Sequence, residues 1–189
     1  MEFWNSNFDQ NPEEIDFSEN TRKLLEETLI FESRNDIGRV IFASASHRGS
    51  DMATKFSGRL GASLVGDPLG ETEITSEALS HARPQPNMKQ RNRLPNSIDI
   101  LDPESNFLKI VDRLPTDPDI PYHSLIGDRG RGGNLDRTKP QSSDGIVPYW
   151  SSHMDGAETE VIVPSDHWSH LHPLGMAEIK RVLLYHLRN

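Results

Sequence analysis

Three short apolar runs along the chain are predicted to form β-strands. They are Arg39–Ala45, Pro121–Gly127 and Glu158–Pro164. Each run contains β-branched or aromatic residues and is too short for a typical helix, which favours a strand. Helical patterns alternate with these runs. The order of elements therefore predicts an α/β fold in which helices cover both faces of a three-stranded parallel sheet.

Apolar positions at helical spacing predict five helices around these strands. The predictions are a helix capped by Ser18 and ending near Phe31, Asp51 to about Val65, Glu73–His81, Pro103–Leu114 and a final helix opened by Pro173. The final helix has an apolar stripe formed by Met176, Ile179, Leu183 and Leu187. We expect this stripe, like the Met, Phe and Leu positions of the other helices, to pack into the core.

Three stretches carry no regular pattern. Residues 1–17 are predicted to be an irregular lead-in, although they contain four aromatic residues. Residues 66–103 are interrupted by prolines and are predicted to be an irregular insert, apart from the short helix already named. Asp128–Ser143 is predicted to be a long polar loop. The whole chain, 1–189, is predicted to be one partial domain.

Composition narrows the classes of function. The formal net charge is −9, with 29 acidic and 20 basic residues, so the chain repels phosphate backbones and nucleic acid is not an expected partner. There are no cysteines, which excludes disulfides, zinc–thiolate sites and cysteine nucleophiles. No stretch of about 18 apolar residues predicts a membrane span. The first residues lack a signal-peptide pattern, which leaves the compartment open with the cytoplasm as the default expectation.

Candidate catalytic residues follow the predicted strands. Ligands bind at the carboxyl ends of the strands in open α/β sheets, and Asp144 follows the second strand while His167 follows the third. A serine hydroxyl is a weak nucleophile until an imidazole accepts its proton, and a carboxylate fixes the tautomer of that imidazole. Acid before histidine is the order found in α/β-hydrolases. The sequence therefore predicts an Asp144–His167 pair.

Longer motifs support the same interpretation. The segments RVIFASASHRGSD, IPYHSLIGDRGRGG and SSDGIVPYWSSHMDGAETEVIVPSDHWSH, together with the closing helix, resemble a bacterial family of esterase- or lipase-like α/β-hydrolases. The resemblance covers nearly the whole chain, and SSDGIVPYWSSHMDGAE is its most specific part. It implies a partial α/β-hydrolase fold containing the last three strands. It also implies Asp144 as the triad acid, His167 as the triad histidine, a small-molecule or lipid ester as substrate and no cofactor.

The chain departs from the family pattern at three points. Ser46 stands where proline is usual, and Asp166 replaces the glycine of a V-P-S-G-H pattern. No G-x-S-x-G elbow is present, and Gly61–Val65 lacks its second glycine. The resemblance places the nucleophile and the oxyanion hole upstream. We therefore expect the chain to be the acid–histidine half of a hydrolase, inactive without an N-terminal half that supplies the serine.

Two other classes of function are compatible with the sequence. The missing nucleophile also suits a non-catalytic scaffold or interaction module, or a relic of a hydrolase. A less favoured alternative is a metal-dependent hydrolase that uses His167, His170 and His172 with Asp166. The glycine-rich GDRGRGGN is interpreted as an active-site loop rather than a phosphate cradle, and His47 and Arg48 are expected to have structural roles.

Overall fold

A parallel β-sheet forms the centre of the fold. The computed structural model describes residues 1–30, 32, 34, 36–52, 72–83, 100–130 and 142–188. Its strands are β1 (Val40–Ala43), β2 (Tyr122–Gly127) and β3 (Thr159–Val163). They pair in parallel in the order β1-β2-β3, so that β2 is the buried central strand. The predicted α/β fold with a three-stranded parallel sheet is therefore confirmed.

Six helices and one 3-10 turn are present among the described residues. They are α1 (Glu2–Asn7), α2 (Glu19–Leu29), α3 (Thr72–His81), α4 (Asn106–Val111), α5 (Tyr149–Ser152) and α6 (Pro173–His186), with a 3-10 turn at Ser169–Leu171. Ser18 caps α2 by accepting the Thr21 amide, and Pro173 occupies the first turn of α6, both as predicted. Among the described residues, no helix is long and apolar enough to cross a membrane.

Alternate side chains of β3 show that helices cover both faces of the sheet. The hydroxyl of Thr159 donates to Glu178 of α6 at 2.8 Å. Its neighbour Glu160 points to the opposite face, where it accepts from the hydroxyl of Tyr149 in α5 at 2.6 Å. Side chains alternate across a strand, so α5 and α6 lie on opposite faces.

The N-terminal residues form a second core, and the prediction of an irregular lead-in was wrong for residues 2–7, although residues 8–17 form no helix or strand. Residues 2–7 are helical, and aromatic side chains from this segment pack with α2 and α3. The cluster consists of Trp4, Phe8, Ile15, Phe17, Leu25 and Ala78. Helix α1 is short and its N-cap makes no side-chain hydrogen bond, so the local signals for a helix are weak. Burial of Trp4, whose indole N–H donates to the Gln10 carbonyl, stabilises it instead.

Two other predicted helices differ from the prediction or lie largely outside the described residues. The helix predicted at Pro103–Leu114 is shorter, because Ser105 rather than Pro103 begins it: the Ser105 hydroxyl accepts the Leu108 amide. Most of the helix predicted from Asp51 to about Val65 lies outside the described residues, as do positions 84–99 of the predicted insert and 131–141 of the polar loop.

The apolar stripe of α6 is not in the core, contrary to expectation. Met176 and Leu183 are each about half exposed, and Leu187 is 80% exposed. The residues that α6 buries are Gly175 and Val182. A periodic stripe indicates which face a helix offers for packing, but it does not supply a neighbour.

Candidate functional site

Asp144 and His167 lie in contact at the carboxyl end of the sheet. His167 Nδ1 is 2.8 Å from Asp144 Oδ2, although 23 positions separate the residues. The Asp144 side chain is only 1% exposed, whereas that of His167 is 33% exposed. Among the described residues, no hydrogen-bond partner occupies His167 Nε2. The predicted contact is thus present, and the catalytic role of the pair stays a prediction.

The second oxygen of the Asp144 carboxylate is held by its own loop. Oδ1 accepts the amides of Ile146 at 2.8 Å and of Val147 at 2.7 Å. The chain turns at Gly145, whose φ of 97° lies in the region that favours glycine. Asp144 therefore caps a turn and contacts His167 with the same carboxylate, so its rotamer is fixed by the backbone.

A buried hydrogen bond ties this loop to the end of β2. Asp128 directly follows β2, and its carboxylate accepts a hydrogen bond from the Ser142 hydroxyl. Both residues are essentially buried. The Arg129 amide also donates to the Ser143 carbonyl. The position of Asp144 relative to the sheet is therefore set by bonds made by the residues just before it.

Asp166, which replaces the family glycine, shapes the turn that carries His167. Its Oδ1 accepts the amide of Trp168 at 3.0 Å, an Asx-type turn. The Ser165 hydroxyl donates to the Asp166 carbonyl at 2.9 Å. The substitution is thus compatible with a histidine that reaches Asp144, because the carboxylate points along the loop and bonds to its backbone.

The three histidines proposed as metal ligands do not converge. Among the described residues, no group of three or more His, Asp or Glu side chains is arranged to hold a metal ion. His172 Nδ1 instead accepts the Leu174 amide and caps α6. The ring of His170 lies 5.9 Å from that of Trp168. The geometry therefore gives no support to the metal-dependent alternative.

Residues after β1 have structural contacts. Arg48 donates to the carbonyls of Trp150 and His153 and forms an ion pair with Asp112. The ring of His47 packs edge-on against Phe42 at 4.6 Å. Burial, the largest cause, lowers the pKa of His47. Both residues anchor loops, as expected from the sequence.

Ser44 is the serine nearest the end of β1, and its hydroxyl is already engaged. Its φ of 50° is unusual for a non-glycine residue. Its Oγ is buried and lies 2.7 Å from the Oγ of Ser169. The described site therefore contains an oriented histidine, and the Ser44 hydroxyl forms its hydrogen bond with Ser169.

A second histidine–carboxylate cluster was missed by the sequence analysis. His153 Nδ1 lies 2.6 Å from Glu160 and its Nε2 lies 3.1 Å from Asp155. The Tyr149 hydroxyl donates to Glu160 at 2.6 Å. Burial of the His153 ring, the largest single influence, lowers its pKa, but the hydrogen bonds to Glu160 and Asp155 and the negative charges of these two groups together raise it. Burial and Glu160 raise the pKa of Tyr149.

The sequence contained one signal for this cluster. His153 and Asp155 both lie in the SSHMDGAE motif, whose resemblance was noted without roles for these side chains. The contact of His153 with Glu160 could not be predicted from the sequence, because it depends on which face of the sheet each β3 side chain occupies. Because both nitrogens of His153 face carboxylates, the ring links the end of α5 to β3, and neither nitrogen is open to a substrate.

Comparisons with protein-family models, with curated proteins and with solved structures find no match in any of the three.

Proposed function

We propose that Asp144 and His167 are the acid and the base of a serine ester hydrolase of the α/β-hydrolase type. The observation that carries the proposal is the 2.8 Å contact from His167 Nδ1 to a buried carboxylate, with Nε2 left open among the described residues. This is the arrangement an imidazole needs to accept a proton from a hydroxyl. A purely structural histidine has no requirement for one nitrogen to stay open.

The order of the elements supports the same assignment. The acid follows β2, the histidine follows β3, and a helix closes the unit. The carboxyl ends of parallel strands meet at one edge of a sheet, so the two loops converge there. Acid and histidine in this chain order are characteristic of α/β-hydrolases.

The proposed mechanism assigns one step to each group. His167 Nε2 accepts the proton of an attacking serine hydroxyl as the ester carbonyl becomes tetrahedral, then donates that proton to the leaving alcohol. Asp144 holds the Nδ1–H tautomer and stabilises the imidazolium that forms. The serine is supplied by a segment carrying a G-x-S-x-G elbow, which these 189 residues lack. Alone, the chain is proposed to be inert toward esters.

An ester assay tests the last point. The purified chain is incubated with a p-nitrophenyl ester of a short acid, and turnover is compared with that of His167→Ala. We expect neither protein to exceed the uncatalysed background. Turnover by the unchanged chain that His167→Ala abolishes would show that a nucleophile exists among these residues.

The upstream reading frame tests the assignment itself. If in-frame DNA encodes G-x-S-x-G, the extended protein is expressed and labelled with a fluorophosphonate. We expect labelling of the elbow serine, and a loss of turnover of about 10⁴-fold for Asp144→Asn. His167→Ala is expected to abolish labelling. His170→Ala is the matched control and is expected to keep activity. Undiminished turnover in His167→Ala would exclude the proposed pair.

A non-catalytic interaction module is the second candidate. The missing elbow favours it, as does the exposed apolar surface of α6, where Met176, Leu183 and Leu187 contact solvent. This alternative predicts that no upstream elbow is encoded. It also predicts that substitutions at His167 leave the function of the protein in the cell unchanged.

A further inference from the structure

Gly127, the last residue of β2, lies between the loops that carry Asp144 and His167. An ideal Cβ built on Gly127 would be 2.5 Å from the carbonyl oxygen of Asp166 and 3.0 Å from Cβ of Asp144. It would also be 3.1 Å from the hydroxyl of Ser165. Both loops therefore rest against the Cα of Gly127, in space that any side chain would fill.

We infer that Gly127 is a positioning residue: its missing side chain sets the approach of His167 to Asp144. This inference rests on the proposed function, because it concerns the same pair. Asp166 immediately precedes His167, so the carbonyl that Gly127 admits is one peptide bond from the histidine. The requirement is steric, because the backbone of Gly127 is ordinary extended strand and the nearest obstacle is a main-chain oxygen.

The size of the effect follows from the distances. Ordinary van der Waals contact begins near 3.4 Å, so the Asp166 carbonyl would have to retreat by about 0.9 Å to admit a methyl group. The Asp144 loop cannot give way easily, because Asp128 and the turn amides hold it. A displacement of that size added to a 2.8 Å contact exceeds hydrogen-bonding distance.

The experiment reads the tautomer of His167 in the chain itself. The ring nitrogen that carries the proton is set by the bond its partner nitrogen makes. ¹⁵N shifts of the His167 ring, measured at alkaline pH, are expected to report Nδ1–H in the unchanged chain. Asp144→Asn gives the reference state in which the charged partner is lost. We expect Gly127→Ala to lose the Nδ1–H signal in the same way.

Gly38→Ala is the matched control. There a Cβ would meet only the end of the His186 side chain, at 2.9 Å and at the other end of the strands, so the Nδ1–H tautomer is expected to persist. A folded Gly127→Ala chain that keeps the tautomer would overturn the inference. If that variant does not fold, a nuclear Overhauser measurement on the unchanged chain tests the inference. A contact between Gly127 Hα and Asp144 Hβ would support the inference, and the absence of that contact would overturn it.

These readouts separate the inference from the proposed function. The tautomer of His167 and the proximity of Gly127 to Asp144 are measured without any ester. These results therefore do not depend on whether the pair is catalytic. In an active extended protein, Gly127→Ala is expected to lower turnover by about 100-fold, the usual effect of a misplacement of about 1 Å.

Discussion

His153 and Glu160 form the closest histidine–carboxylate contact among the described residues, with 2.6 Å between Nδ1 and Oε2. The contact joins the loop after α5 to β3, on the sheet face opposite α6. Asp155 faces the other ring nitrogen, and Tyr149 bonds to the same carboxylate. Groups from two elements therefore favour the protonated form of the ring and raise its pKa.

The contacts of His153 with Glu160 and Asp155 make the free energy of unfolding depend on pH. The raised pKa means that its stabilisation is fully present below about pH 6.5 and is lost as pH rises through the folded-state pKa. We expect His153→Gln to lower the free energy of unfolding by about 1.5 kcal/mol at acid pH, and by less under alkaline conditions. Urea unfolding at both pH values measures this. His170→Gln is the control. If the loss of stability in His153→Gln grew as pH rises, protonated His153 would not be the stabilising form.

His123 is expected to behave in the opposite way. It is buried in β2, with Arg39 facing Nε2 and the Thr159 hydroxyl facing Nδ1, each at 2.7 Å. Burial, the largest cause, lowers its pKa despite the nearby carboxylates of Glu158 and Glu178, so its contribution to stability is lost as pH falls. NMR titration should place the His123 midpoint below that of His153. The reverse order would show that these environments are misassigned.

Substitutions at Asp144 should separate its two roles. Asp144→Asn keeps an oxygen for the amides of Ile146 and Val147, so it should cost only about 1 kcal/mol of stability. Asp144→Ala leaves both amides without that acceptor and should cost roughly 2–4 kcal/mol. Chemical denaturation of the two variants measures the difference. Equal losses would mean that the turn does not depend on the carboxylate oxygen.

The N-terminal aromatic cluster should contribute substantially to stability. Trp4 is fully buried, so Trp4→Ala should cost about 3–5 kcal/mol by leaving a cavity. Phe107 of α4 is 42% exposed and its ring lies 5.0 Å from that of Phe3, so Phe107→Ala should cost about 1 kcal/mol or less. Thermal unfolding compares the two. Similar shifts would indicate that α1 does not dock as described.

The edge formed by β1 should make the chain self-associate. Val40, Ile41 and Phe42 are uncharged and half-buried, and β1 is an outer strand of the described sheet. Unpaired strand edges without charge attract other chains. Ile41→Lys should reduce association in sedimentation velocity experiments. Ile162→Lys on β3, at the opposite edge of the sheet, is the matched control for the added charge. A stable monomer for the unchanged chain would refute this expectation.

Sequence reasoning predicted the strands well and the packing poorly. The run Thr159–Val163 is dense in residues that favour strands, and Tyr122–Gly127 is a short, largely apolar run. The parallel order followed from the alternation of helical and strand patterns along the chain as a whole, although no helix was predicted between β2 and β3, where α5 lies. The contact of Asp144 with His167 followed in turn from that order. By contrast, α1 depends on burial of Trp4 by distant residues, and the clearance at Gly127 depends on loops that meet only in the folded chain.

Strand order has a consequence for how the candidate site assembles. His123 pairs with Thr159, whereas Val40 pairs with Tyr122, more than twice as far along the chain. Closing a chain loop costs conformational entropy that grows with the logarithm of its length, so joining β1 to β2 costs about 0.7 kcal/mol more than joining β2 to β3. Asp144 lies inside the shorter loop and His167 just beyond it. The carboxylate and the imidazole thus come together through the less entropically costly of the two strand pairings.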